Sequence, residues 1–427
     1  AAIMKNIRPL FSVMGGSVWG NRGAEAMLMT VCHQIWERDP DTCFNVYSIY
    51  PGKDKQLVRD PRINFMSGTA MSVALFHFPL ALLARLFSLV KIKLPLPKAL
   101  SKLRSSMALL DIGGITFSDG RVLQLFYNVL SIWPAMLLGV PVIKLSQALG
   151  PFETGINRTI SRRLLSKCEI IFSRGQITSS YLDKYFPELH YEEADDIAFL
   201  YQNEYSLSNE NEGKVTALTE RLKELKSEGK SIIGFVPSVL VLKRSLKKGL
   251  NYPGVLLNLV LSSINDNVHY VIYPNGTREG ASNLMNNDIL AIKAIKKYFE
   301  AELSPEQLMK IDWVDFDINT RGVRHITQCC SALVTSRYHA MVAGLALCVP
   351  TMVIGWSHKY RETLKRFGAE RFAIDFQNEN LNIQNLYKEF LRERLNIRSS
   401  LNSKIEEVKS RSMAQFNYIE KMLESFF

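Results

Sequence analysis

The residue types best suited to chemistry are an arginine and a histidine two positions apart, Arg337 and His339, in the run ALVTSRYHAMVAGLALCVPTMVIGWSHKY, residues 332–360. SALVT reads as a strand, and YHAMVAGLAL has the apolar periodicity of a helix ending before CVP, so the pair falls in the junction and first helical turn. Backbone donors and the helix dipole favour an anion at such a point. Arg337 strengthens that site, and the same positive end disfavours an imidazolium until an anion arrives. The combination predicts a general acid/base, His339, beside an anion clamp, Arg337, with Ser336 next to them as a binding residue. After the following strand, GWSHKY places His358 and Lys359 at a second carboxyl end, and both are candidate ligands for the same substrate.

Three further stretches carry candidate binding residues. MGGSVWGNRGAEAM, residues 14–27, follows an apolar strand and opens a helix, so Gly15, Gly16, Gly20 and Gly23 permit close backbone approach. Asn21, Arg22 and Glu25 add polar reach at the mouth of the expected cleft. The spacing is not GxGxxG, which argues against a dinucleotide fingerprint. DIGGITFSDG supplies Gly113 and Gly114, which share a sheet edge with Gly15 and Gly16 if their strands are parallel neighbours. SRGQITSSYL sends Arg174 out at a strand end, placed to grip a carboxylate or phosphate. Asp315 and Asp317 in DFD and the pair Asp195 and Asp196 resemble metal-binding patterns, but the first lacks a glycine loop and the second reads as a strand-end cap. No metal site and no cofactor are assigned.

These residues need a scaffold, and the chain alternates strand-like apolar runs with helical patterns in both halves. That rhythm predicts parallel sheets covered on both faces: an α/β protein of two Rossmann-like domains with a ligand cleft between them. The expected division is 4–202 for the first domain, with an apolar insertion at 71–100, and 203–230 for a linker and helix. Residues 231–380 form the second domain and 381–427 a helical tail.

Composition narrows the partners. Hydrophobic residues make up 47% and charged residues 22% of 427, a folded globular balance. A formal charge of +11 favours anionic partners. Six scattered cysteines form no CxxC pair and suggest reduced thiols, and the opening AAIMKNIRP lacks the apolar core of a signal peptide, so a cytoplasmic location is expected. The insertion MSVALFHFPLALLARLFSLVKIKLPLPKAL reads first as a helix docked on the protein and second as an interfacial helix or loop touching a bilayer, since Pro79 and Arg85 speak against a spanning helix. With the basic VLKRSLKKGL, residues 241–250, it suggests peripheral contact with the anionic inner face of the cytoplasmic membrane.

GNRGAEAML, GGI, SQALGPF, SRGQITSSYL, ADDIAFL and SRYHAMVAGLALCVP…GWSHKY, in this order across residues 11–370, resemble the polysaccharide pyruvyl transferase family. The resemblance implies a glycosyltransferase-B-like fold, with the acceptor on the N-terminal domain and the donor on the C-terminal one. It implies transfer of the enolpyruvyl unit of phosphoenolpyruvate onto two hydroxyls of a sugar in a cell-surface polysaccharide, capsule or lipid-linked oligosaccharide precursor, releasing phosphate and leaving a pyruvate ketal. Arg337 and His339 match the family's Ser-Arg-x-His motif, as donor ligand and proton donor. Arg174 and Lys359 match its other anion ligands. The chain departs from the pattern at Gly175, where the family has an acid, and at Asp196, where it has a proline. The competing reading is a glycosyltransferase of the same fold with a nucleotide-sugar donor; a nucleic-acid partner is not expected.

Overall fold

The computed structural model describes residues 8–278, 287–355, 358–378 and 382–426. Two compact units form, one from residues 8–19, 27–201 and 409–426 and the other from 20–26 and 202–408.

In the first unit, eight strands form a sheet among the described residues: β1 (Leu10–Met14), β2 (Cys43–Ser48), β3 (Ile63–Ser67), β4 (Leu109–Asp111), β5 (Ile115–Thr116), β6 (Val142–Leu149), β7 (Ile170–Ser173) and β8 (Tyr191–Glu193). The order is β3-β2-β1-β4-β6-β7-β8, with β5 paired to β6, and the pairings are parallel. β6 is buried at every position, as a central strand covered on both faces must be. Its Val142 and Leu149 join Phe117, Ile132 and Leu182 in the core.

The second unit contains β9 (Ser231–Val236), β10 (Val268–Ile272), β11 (Ile311–Trp313), β12 (Ala332–Thr335), β13 (Thr351–Gly355) and β14 (Ala373–Asp375), in the order β11-β10-β9-β12-β13-β14 and again parallel. Ile232, Val236, Val271, Leu333 and Ala340 lie in its core.

Several segments differ from the sequence reading. The helix expected within 203–230 is present as Glu212–Ser227, but it joins the second unit's core through Val215 and Leu222. The tail is a continuous helix, Ile383–Phe426, whose residues up to Val408 belong to the second unit and the rest to the first. The helix Arg22–Trp36 likewise begins in the second unit and continues in the first from Met27. YEEADDIAFL is a strand only through Glu193; Asp196 then accepts from the Ala198 N–H at 2.9 Å and caps a single 3₁₀ turn, Ile197–Leu200. In VLKRSLKKGL, Val241, Leu242 and Ser245 are buried in the helix Val239–Lys247, while Arg244, Leu246, Lys247 and Lys248 are exposed.

Candidate active site

In an open parallel sheet, ligands bind where the strand order reverses, because neighbouring strands there send their connections to opposite faces. In the second unit that point lies between β9 and β12. Past the end of β12, the Thr335 hydroxyl accepts from the Arg337 N–H at 2.9 Å and fixes a turn. Arg337 is extended there, with φ −115° and ψ 128°, and stands immediately before the helix Tyr338–Ala346. His339 is therefore in the first helical turn, as its sequence position implied.

The Arg337 side chain has a neighbour that sequence reading missed. Its Nε donates to Asp288 Oδ2 at 2.9 Å and to Oδ1 at 3.1 Å, and its Nη2 also donates to Oδ1. Asp288 is fully buried, opens the helix Asp288–Glu302 and also accepts from the Val239 N–H at 3.0 Å. Burial works against the Arg337 charge, but the Asp288 carboxylate outweighs it and holds the guanidinium's proton affinity above the ordinary value. One edge of the expected anion clamp is thus satisfied by the protein itself.

His339 is half-buried, with its ring perpendicular to that of Tyr338 at 5.2 Å. Gly23 lies flat against the imidazole: a methyl group there would sit 2.2 Å from His339 Nδ1 and 2.3 Å from Cγ. Only glycine admits the ring in this position. Gly20, at φ +76°, similarly makes room for Arg278, whose Cγ would be 2.4 Å from a side chain at that position.

The other candidates in this unit take more structural roles than expected. Ser336 is buried, its hydroxyl 2.7 Å from that of Tyr252, a contact that braces the end of β12. Asn21 Oδ1 accepts from the Gly23 and Ala24 N–H groups at 3.0 and 3.3 Å, capping the helix start. Glu25 is fully buried and bonded to Arg22, whose Nη2 also reaches Asp317 at 2.9 Å. Burial opposes the Arg22 charge, but Glu25 and Asp317 more than offset it and raise its proton affinity. Glu25 therefore positions Arg22 and does not reach outward. Asp317 of DFD is bound to Arg22 and Asn209, a structural role. Lys359 Nζ stands 5.1 Å from the Tyr338 ring centre and 5.3 Å from that of Tyr360, within cation–π range. His358 begins the helix His358–Lys365, and its side chain lies outside the described residues.

The first unit reverses its strand order between β1 and β4, and the four predicted glycines follow those two strands. Met14 pairs with Asp111 across a parallel register, which brings Gly15 and Gly113 side by side. Gly15 has φ +86°, and a side chain on it would meet the Gly113 nitrogen at 2.7 Å; one on Gly16 would meet Ile112 Cδ1 at the same distance. Gly114 has open space around it. The loop after Gly16 is held by an unforeseen residue, Asp54, whose carboxylate accepts from the N–H groups of Val18 at 3.1 Å and Trp19 at 2.8 Å and from the Ser17 and Ser48 hydroxyls. Burial pushes the Asp54 carboxyl above its usual range, against the pull of those four bonds. Beneath Gly113, Asp111 pairs with a fully buried Lys144. Arg174 is buried and donates to Asp196 Oδ2 at 3.1 Å. It belongs to the first unit, whereas Arg337, His339 and Lys359 belong to the second.

Two parallel α/β units of this topology define a glycosyltransferase-B-like protein, and solved structures of that fold match over nearly the full length. S. aureus MnaA with UDP has a TM-score of 0.58 at 11% identity, covering 98% of this chain and 97% of that one. A ugt transferase from Siraitia grosvenorii in complex with UDP has 0.58 at 10% identity, covering 98% and 100%. UDP-GlcNAc 2-epimerase from Neisseria meningitidis bound to UDP-GlcNAc has 0.55 at 11% identity, covering 97% and 100%. At such identities the likeness is one of fold. No protein of curated function matches the sequence significantly. The family model for polysaccharide pyruvyl transferase matches residues 21–358, and the chain belongs to that family of transferases.

Proposed function

We propose that the chain transfers the enolpyruvyl unit of phosphoenolpyruvate to a sugar of a cell-surface polysaccharide or its lipid-linked precursor, at the carboxyl edge of β12. The observation that carries this reading is the imidazole of His339 in the first turn of a helix, next to a half-buried arginine and backed by Gly23. The donor's anionic groups bind at the start of the helix Tyr338–Ala346, with Arg337 and Lys359 supplying positive charge and Asp288 holding Arg337 in orientation. His339 delivers a proton to the donor's methylene carbon, which leaves C2 electron-poor. One sugar hydroxyl adds to C2, the bond from C2 to the phosphate oxygen breaks, and the second hydroxyl closes the ketal. Of the two hydroxyl protons, one balances the proton placed on carbon and the other leaves with phosphate. No cofactor enters this scheme, and a cytoplasmic site supplies the donor directly.

The test is thermal stabilisation with a ligand panel, since a ligand at a hundred times its Kd adds about 2.7 kcal/mol to the native state. Phosphoenolpyruvate should raise the melting temperature. A shift with UDP-sugars and none with phosphoenolpyruvate would favour the nucleotide-sugar reading, which the fold alone also accommodates.

A further inference from the structure

The helical stretch Ala70–Leu89 is long and apolar enough to cross a membrane, yet most of it is not packed inside the protein. Leu75, Phe76, Leu83, Leu86, Leu89 and Val90 are all exposed. The helix Tyr252–Ser263, comparably apolar, behaves in the ordinary way and buries Leu256, Leu257, Leu259 and Val260. A contiguous apolar face of this kind on a folded unit marks a surface with a partner.

The opposite face of the stretch is committed to the first unit. Ala81 and Ala84 are buried, and Phe78 packs on Trp133 of the helix Val122–Leu137 with ring centres 4.9 Å apart. His77 sits edge-on to Tyr47 at 5.5 Å, at the end of a π-helical turn, Val73–His77. A helix anchored along one side cannot leave the unit to cross a bilayer, and Arg85 on its exposed side adds to that cost. It can lie in the plane of an interface.

The flanking charge says which interface. Between Asp60 and Asp111 the chain has no Asp or Glu, while Lys91, Lys93, Lys98, Lys102 and Arg104 follow the helix and are all exposed. A second protein copy would bring the same positive charge to the contact and repel it. An anionic bilayer matches both halves of the patch, taking the apolar side chains about 5–10 Å into the boundary between headgroups and acyl chains and the amines at the phosphate level.

We infer that the exposed face of Ala70–Leu89, with the basic segment 91–104, is a docking surface for an anionic phospholipid bilayer, on which the first unit rests without spanning it. Docking there would hold the unit on the surface where a lipid-linked acceptor resides. That link rests on the proposed function, whereas docking itself is read without donor or acceptor and stands or falls separately.

The experiment is flotation of the full chain with vesicles of phosphatidylcholine alone or with phosphatidylglycerol added. The parent should float with the anionic vesicles and at least tenfold less with the neutral ones, and raised salt should weaken binding. Leu83→Glu combined with Leu86→Glu should cut binding tenfold or more while leaving the melting temperature close to that of the parent, since both side chains are exposed. Lys91→Glu with Lys93→Glu should remove the preference for anionic lipid. A parent that stays unbound, or a leucine variant that floats as well as the parent, overturns the inference. So does a parent dimer that ignores vesicles and dissociates on the same leucine substitutions, which would assign the face to a second copy.

Discussion

Both units reverse their strand order within the sheet, yet they furnish the two points with opposite chemistry. In the first unit Gly15 and Gly113 bring backbone against backbone, with charge kept beneath as the Asp111–Lys144 pair. In the second, Arg337, Asp288 and His339 put charged and titratable side chains at the edge itself. The difference teaches that one topology can serve either as a surface for close approach or as a place to hold charge and move a proton. The proposed reaction uses the second.

Substitutions can break that contrast, the largest effect coming from the proton. His339→Ala should lower turnover by about 10²–10⁴-fold with donor binding retained, read as phosphate release and as the phosphoenolpyruvate-induced melting shift. Gly23→Ala should lose turnover too, because its methyl group would occupy the place of the imidazole. Unchanged release by either variant would remove His339 from the mechanism. Next in size, Asp288→Ala removes the fully buried carboxylate that pairs with the Arg337 guanidinium and should cost about 3–5 kcal/mol in denaturant unfolding.

On the glycine side the expected effects are smaller and purely steric. Gly15→Ala places a side chain at φ +86° and 2.7 Å from the Gly113 nitrogen, and should cost at least about 1–3 kcal/mol. Gly114→Ala, with open space around it, should stay within about 0.5 kcal/mol. Equal losses at both positions would show that backbone approach is not what these glycines provide. Smallest of all is a pH effect at His77, whose proton affinity burial lowers below its ordinary value. A depressed folded-state value means the unfolded chain binds the proton more readily, so this group's contribution is present above about pH 6.5 and fades as pH falls through the folded value. His77→Gln should flatten the acid side of the melting-temperature profile.

The sequence made the fold readable because parallel strands buried on both faces, such as VIKLSQAL, leave continuous apolar runs. It made the Gly15–Gly113 approach conditionally readable, since a shared edge follows if their strands are parallel neighbours, as β1 and β4 are. His339 at a helix start came from the same local pattern. Asp288 could not be seen, because it lies 49 residues from Arg337 and meets it only when two helix starts converge on β12. The contact of Gly23 with His339 is equally non-local. The bracing contacts of Glu25 with Arg22 and of Ser336 with Tyr252 were not legible, because a polar residue near a glycine loop or strand end looks the same in sequence whether it faces a substrate or braces the chain. Asp54 gave no signal at all: PGKDKQL is an ordinary polar helix until its aspartate turns inward to four donors.

The most direct test of the central claim is mass spectrometry of candidate lipid-linked glycans incubated with phosphoenolpyruvate and either the parent or His339→Ala. The account predicts a gain of one pyruvate less one water with the parent, matched by released phosphate, and neither with the variant. Product formed equally by both, or a glycan extended only when a nucleotide sugar is supplied, would contradict it.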